Sequence, residues 1–275
     1  MKLIDVYLLT GYFLIASIFI LLIGKTRKAN KVKYTICFNT LVLFALILLY
    51  SLKTKNEILL VVASWAPLFL IFYFYKTAGL LSRSFYNDTF DKLIIDFEKK
   101  IFGNYNPCIW LSNKLNFYWL SEYLHLCYFS YFLLLYGTPF YFYFKHDYNL
   151  FYQLEFAELL VLLQSFLIHS MIPVLSPRTI FEKIPSSLRT GSIYRLVHYA
   201  VENGSADGTA FPSTHVGIGM LVILTSLYFH TSFFFLLLPF ALGLVLSTIY
   251  GRFHYVTDLM GGVIMASISF FMVYH

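Results

Sequence analysis

Two histidine-bearing segments near the C-terminal end of the 275-residue chain hold the residues best suited to chemistry. They are Phe211-Pro212-Ser213-Thr214-His215 and Arg252-Phe253-His254-Tyr255-Val256-Thr257-Asp258. His254 and Asp258 are four residues apart, a spacing at which a helix brings two side chains into contact. A carboxylate that accepts from one imidazole nitrogen fixes the tautomer and stabilises the cation formed on attack. The other nitrogen then presents its lone pair as a nucleophile. His-x-x-x-Asp alone is a weak signal, since a carboxylate at a helix start also serves as a cap. A metal pair uses the same residue types, but no third ligand stands at a suggestive spacing, so no metal is expected.

In the other segment Pro212 suits the first turn of a helix, and Ser213 and Thr214 are good caps. N–H groups at a helix start attract phosphate oxygens, and Ser213 would add a hydroxyl. His215, beside them, is the candidate general acid and base. A capped helix followed by an interfacial histidine explains the same residues without chemistry. The third element is Pro177-Arg178, and Arg252 stands two residues before His254. Guanidinium forks bind phosphate oxygens in bidentate fashion. Singly, each arginine reads as an ordinary interfacial cation. Together with two histidines, Arg178 and Arg252 point to phosphoryl chemistry, with His254, His215 and Asp258 as the catalytic set and Arg178, Arg252 and Ser213 as the phosphate ligands.

The elements that must position these residues are membrane helices. Hydrophobic residues make up 59% of the chain and charged residues 12%, with a mean hydropathy of +0.70. A soluble domain carries about 25% charged residues, so lipid is the solvent for most of this chain. Eight apolar stretches approach the length of a span: Val6–Gly24, Tyr34–Leu52, Ile58–Tyr75, Tyr123–Phe144, Leu159–Leu175, Val216–Phe229, Phe233–Tyr250 and Tyr255–Tyr274. A span needs about 20 mainly apolar residues. The first lacks a small-residue cleavage site and reads as a retained helix, not a signal peptide. The fold class is therefore all-α, a polytopic membrane helical bundle of about eight transmembrane helices.

Between the third and fourth spans, Phe90, Leu93, Ile94, Phe97 and Ile101 recur at helical spacing, with Asp91, Asp96, Glu98, Lys99 and Lys100 on the other side. This predicts an amphipathic helix at the membrane surface, ended by Gly103-Asn104 and Asn106-Pro107. A helix packed on the protein itself reads almost as well. The whole chain, 1–275, is expected to form one integral membrane domain: N-terminal helices over 1–84, with the third in the core, an interfacial segment over 85–118, and catalytic helices and loops over 119–275.

Cys37, Cys108 and Cys127 form neither a CxxC pair nor an even-numbered framework, so no disulfide scaffold is indicated. His125, His169 and His230 lie in or near apolar runs and read as structural. No nucleotide loop or nucleic-acid pattern is present, and the positive charge suits anionic lipid. With eight spans, 16 of the 20 Lys and Arg residues share the face that bears all the motif residues. The positive-inside rule would make that face cytoplasmic. The long loop from Ser176 to Ala210 overlies the motifs on the same face. A transporter or an inactive membrane scaffold would use such polar residues differently, but they gather at one face and not at midplane.

The three segments resemble the signature motifs of the type 2 phosphatidic acid phosphatase superfamily. Within it, His254-Tyr255-Val256-Thr257-Asp258, Phe211-Pro212-Ser213-Thr214-His215 and the Asp91 to Gly103 stretch are most similar to the branch of inositol phosphorylceramide synthases and sphingomyelin synthases. The likeness covers roughly residues 85 to 275. It implies a six-helix lipid-phosphatase-like core and metal-independent transfer without a cofactor. The implied substrate is a membrane lipid phosphoester, with water or a second lipid alcohol as acceptor. By matching position it makes His254 the nucleophile, Asp258 its orienting partner, His215 the acid/base, and Arg178, Ser213 and Arg252 the phosphate ligands. Three positions depart from the phosphatases. Met171 stands where they have Lys, Thr248 where they have the third-motif Arg, and Thr214 where many have Gly. These departures favour the transferase-like branch over plain phosphatidate hydrolysis. Likeness to bacterial members implies a plasma (inner) membrane location. The family's usual exoplasmic site conflicts with the cation count. Basic active-site loops inflate that count, so the expectation leans to the exoplasmic side.

Overall fold

The computed structural model describes residues 10–12, 14, 18, 29–51, 56–86 and 88–275. The expected first span, Val6–Gly24, lies largely outside these described residues. The rest is helical. Helix α1 is Ala29–Ser51 and α2 is Glu57–Phe85, whose start is capped by the Asn56 side chain accepting from Ile58 N (3.0 Å) and Leu59 N (3.2 Å). The surface helices α3 (Asp91–Phe102) and α4 (Pro107–Lys114) follow. Gly103, at φ +66°, ends α3 in a conformation that costs glycine little.

The next crossing is composite: α5 (Tyr118–Phe129), a π-helical turn at Leu133–Gly137, and α6 (Thr138–Phe144). Pro139 lacks an N–H and its ring crowds the carbonyl one turn back, which disturbs a regular α-helix. The wider turn just before it accommodates that disturbance. Helix α7 (Tyr148–Met171) returns to the motif side. There the loop carries a short α8 (Pro177–Ile180), a 3-10 turn at Ser186–Leu188, and α9 (Ser192–Gly204). Helices α10 (Thr214–Phe229), α11 (Ser232–Tyr250) and α12 (Val256–Tyr274) complete the chain.

Among the described residues, four helices are long and apolar enough to cross a membrane: Glu57–Ser82, Tyr148–Met171, Ser232–Tyr250 and Val256–Tyr274. With the shorter Thr214–Phe229 and the composite crossing they make the six-helix core. Helix α10 packs on α11 and α12, α7 packs on α2 and α12, and α11 packs on α5. Gly262 lets α12 approach the start of α10 closely, since a Cβ there would meet the Ser213 carbonyl oxygen at 2.5 Å. Phe74, Phe151, Phe166, Ile218 and Phe234 fill the interior. On α12, Met260, Ile264, Ile268 and Phe271 form an exposed stripe, while Gly261, Gly262, Ala266 and Ser269 on the opposite side are buried. An apolar stripe facing outward is what a helix solvated by lipid requires. The protein is an all-α integral membrane bundle.

Helix α3 settles which of its two readings holds, and both do in part. Asp91, Ile94 and Glu98 face the protein and are buried, whereas Leu93, Phe97 and Ile101 form an exposed apolar row. The acids expected on the solvated side instead include the two that dock the helix.

Candidate functional site

The site assembles where α7, α10, α11 and α12 end on one side of the bundle. The Asp258 carboxylate folds back onto the start of α12, where Oδ2 accepts from Tyr255 N at 2.8 Å. The same oxygen lies 3.3 Å from His254 Nδ1, and the Ala210 carbonyl oxygen lies 3.0 Å from that nitrogen. Both partners of Nδ1 are acceptors, so Nδ1 carries the proton and Nε2 the lone pair. His254 thus meets Asp258 from just before the helix. The expected contact exists, but a capping interaction makes it, not a shared helical face. The His254 backbone is held as well: its N–H donates to Thr248 O (3.0 Å) and its carbonyl accepts from Cys108 Sγ (3.1 Å). Burial, reinforced by the Arg178 charge and opposed by the Ala210 carbonyl, pushes His254 down to about 4.

His215 opens α10 with its ring stacked on Tyr128 (centroids 4.6 Å apart, 19° between planes) and beside Tyr131 (4.4 Å). Its centroid is 5.6 Å from that of His254, and its buried Nδ1 has no hydrogen-bond partner among the described residues. His215, His254, Thr214, Ser205 and Arg178 line a cavity of about 70 Å³. Arg178 is fixed at both ends, its N–H donating to Arg252 O (2.7 Å) and Nη2 to Ser205 Oγ (3.0 Å). An apolar cavity of about 280 Å³, walled by Ile71, Phe72, Phe132 and Val201, adjoins this one and shares Tyr75, Tyr128, Thr214 and His215 with it.

Four expected residues, His254, Asp258, His215 and Arg178, therefore come together, and two do not reach the cavity with their side chains. Ser213 is fully buried, and its hydroxyl caps α10 by accepting from Val216 N at 3.3 Å. Its own N–H donates to Asp258 O (3.0 Å), tying the two histidine segments together. Arg252 sits at φ +57°, which turns its side chain away from His254. The guanidinium is buried against Ser112 Oγ (Nη2, 2.9 Å), Asn113 Oδ1 (3.2 Å) and the Glu182 carbonyl oxygen. Met171 is 42% exposed, and Thr248 offers only its carbonyl to the His254 segment.

Three buried carboxylates and a third histidine, none of them among the expected site residues, support this arrangement. Glu98 Oε1 accepts from Thr257 N (2.8 Å) and Thr257 Oγ1 (3.1 Å), capping α12 beside Asp258. Burial pushes Glu98 up, and its hydrogen bonds to Thr257 pull it back. Asp91 accepts from Leu175 N (3.0 Å) and from Tyr255 Oη (3.3 Å). Glu122 accepts from Ile193 N and Tyr194 N, both at 3.0 Å, which fastens the start of α9 to α5. His169 Nε2 lies 2.9 Å from Pro212 O, steadying the segment before His215. Glu98→Ala removes a helix cap, a loss of about 1 kcal/mol. A lower thermal midpoint in detergent, with kcat reduced more than KM is raised, is the expected outcome. An unchanged midpoint would show that Glu98 does not hold α12.

A family model described as the PAP2 superfamily matches residues 92–272. That is well over half of the chain, and the chain belongs to this family. Membership makes it a membrane enzyme of the phosphatase and phosphotransferase kind, acting on a lipid phosphoester. Neither the curated proteins nor the solved structures gave a match.

Proposed function

We propose that the protein transfers or hydrolyses a lipid-linked phosphoester through a phosphohistidine on His254. The observation that carries this reading is the His254 hydrogen-bond pattern: Nδ1 is committed to Ala210 O and Asp258, which leaves Nε2 as the nucleophile beside His215 and Arg178. Asp258 orients the ring and stabilises its cationic form. Arg178 offsets charge on the phosphoryl oxygens as the transition state forms. His215 lines both the polar and the apolar cavity, so it protonates the oxygen of the alcohol whose chain fills the apolar one. It then activates water or a second alcohol. Ser213 and Arg252 support the site from behind, as cap and buttress, in place of the phosphate contacts their sequence suggests.

The likeness to inositol phosphorylceramide synthase-type enzymes favours a head-group transferase; water as acceptor would make a phosphatidate or polyprenyl phosphate hydrolase. The full chain with radiolabelled lipid phosphoesters, followed by product identification, tests the reading. Release of a lipid alcohol by wild type and not by His254→Ala is expected. Equal behaviour of the two proteins would overturn the enzyme assignment.

The pH dependence has a definite sign. His254 must be neutral to attack, and its pKa is pushed down from 6.5 to about 4. The acid limb of kcat/KM, which reports the free enzyme, is therefore expected near pH 4. An acid limb near pH 6.5 would show that His254 is not held in this environment.

A further inference from the structure

Helix α3 has three sides, each covering about a third of its circumference. Asp91, Ile94 and Glu98 turn inward and are buried. Leu93, Phe97 and Ile101 recur every four residues as an apolar row, each at least 45% exposed. Lys92, Asp96, Lys99 and Lys100 occupy the remaining side and are exposed. A helix packed only on protein has no use for the last two sides, and one surrounded by water has no use for the apolar row. The arrangement fits a helix lying in the head-group layer, with protein on one side, acyl chains on the second and charged head groups on the third. Exposed Tyr105, Trp110 and Trp119 follow it in the chain, and such rings gather at that depth.

The inward side is tied to the catalytic segments. Glu98 accepts from Thr257, next to Asp258, and Asp91 accepts from Leu175, three residues before Arg178. Helix α3 therefore bridges the segment of the nucleophile and the segment of Arg178. Protein contacts alone hold this bridge weakly. Its 12 residues are few for a stable helix. Two of the three residues it buries are carboxylates, whose desolvation offsets what their hydrogen bonds contribute. The two outer sides must supply the remainder.

We propose that α3 is a docking surface for an anionic lipid layer, and that this contact sets the turnover of the site. The proposal rests on the His254 reaction above and adds a control to it. Lys92, Lys99 and Lys100 pair with acidic head groups while Leu93, Phe97 and Ile101 enter the acyl layer. Three lysines against one aspartate select an anionic surface over a neutral one, and each lysine near such a surface is worth about fivefold in attraction. None of the three lines the cavity of His254 or the apolar cavity, so the head groups they hold are surroundings and not substrate. A surface that holds α3 keeps Glu98 on Thr257 and Asp91 on Leu175. A neutral surface lets α3 fray, which loosens His254 and Asp258 relative to Arg178.

The test places the full chain in vesicles whose lipids carry no phosphate and so cannot be substrates. One set is digalactosyldiacylglycerol alone. In the other, one lipid in three is the anionic sulfolipid sulfoquinovosyldiacylglycerol. The readout is kcat on a p-nitrophenyl phosphoester at neutral pH, because an anionic surface repels the ester and raises KM without changing kcat. Wild type is expected to turn over about threefold faster or more in the anionic vesicles, and added salt is expected to shrink that gain. The combined variant Lys92→Gln, Lys99→Gln, Lys100→Gln is expected to match wild type in neutral vesicles and to lose the gain. The gain is a ratio between two vesicle types for one protein preparation, so partial misfolding does not change it. Equal turnover in the two vesicles, slower turnover in the anionic ones, or a gain that the triple variant keeps overturns the lipid-surface role of α3 while the His254 reaction stands. No p-nitrophenolate in either vesicle would remove both.

Discussion

Replacing His254 by alanine is expected to lower turnover of a lipid phosphoester by about 10,000-fold or more, as loss of a covalent nucleophile does elsewhere. At room temperature that is about 5.5 kcal/mol of transition-state stabilisation. The size follows from what the side chain is given to do. His254 is 6% exposed and its backbone is tied to Thr248 and Cys108. One nitrogen is spent on Ala210 O and Asp258, and the other faces the cavity shared with Arg178 and His215. No neighbouring group can replace it. His169 donates toward Pro212 O and does not line the cavity, and His198 lies across Arg178 in a separate pocket. The variant should keep its folding stability within about 1 kcal/mol of wild type, since the ring contributes only modest hydrogen bonds to stability. Activity assays on lipid phosphoesters, paired with a melting curve in the same detergent, check both parts. A residual rate within tenfold of wild type would remove His254 from the chemistry.

His215→Gln is expected to cost about 100- to 10,000-fold on a lipid ester, the usual range for general acid–base catalysis. In kcat/KM, which reports formation of the intermediate, the loss should shrink to a few-fold on a p-nitrophenyl phosphoester, because a p-nitrophenolate leaves without a proton. This dependence on the leaving group separates a proton donor from a ring that merely packs. The packing alternative is real, since His215 is stacked on Tyr128 and set beside Tyr131. Its Nδ1, however, is buried without a partner among the described residues, and the ring borders both cavities. If both substrates lose activity equally, His215 supports the site and does not donate the proton.

The parts of this site that could be read from sequence are those carried by short stretches of chain. His254 and Asp258 are four residues apart, and the Pro212-Ser213 pair announces the start of α10. Apolar runs likewise reveal the spans, and the Leu93, Phe97 and Ile101 repeat reveals α3. Long-range partners are the hidden part. The side chain of Arg252 reads as a phosphate ligand until its positive φ and its contact with Ser112, 140 positions away, are known. Glu98 reads as a charge on the solvated side of its helix and Glu122 stands in no motif, yet each caps a helix start far along the chain, at Thr257 and at Ile193. Periodicity shows that a helix has two faces, and only packing decides which one turns inward. The π-helical turn at Leu133–Gly137 interrupts an apolar run that looks continuous. Pro139 marked the place without specifying the form of the interruption.

The central claim is that His254 carries the phosphoryl group. It is tested most directly by quenching His215→Gln during reaction with a p-nitrophenyl phosphoester and locating the adduct by mass spectrometry. That substrate does not need the acid, whereas breakdown of the intermediate does need the base, so the intermediate should accumulate. A burst of about one p-nitrophenolate per enzyme with a phosphoryl group on His254 is the expected result. A phosphoryl group on any other residue, or steady release with neither burst nor adduct, would contradict it.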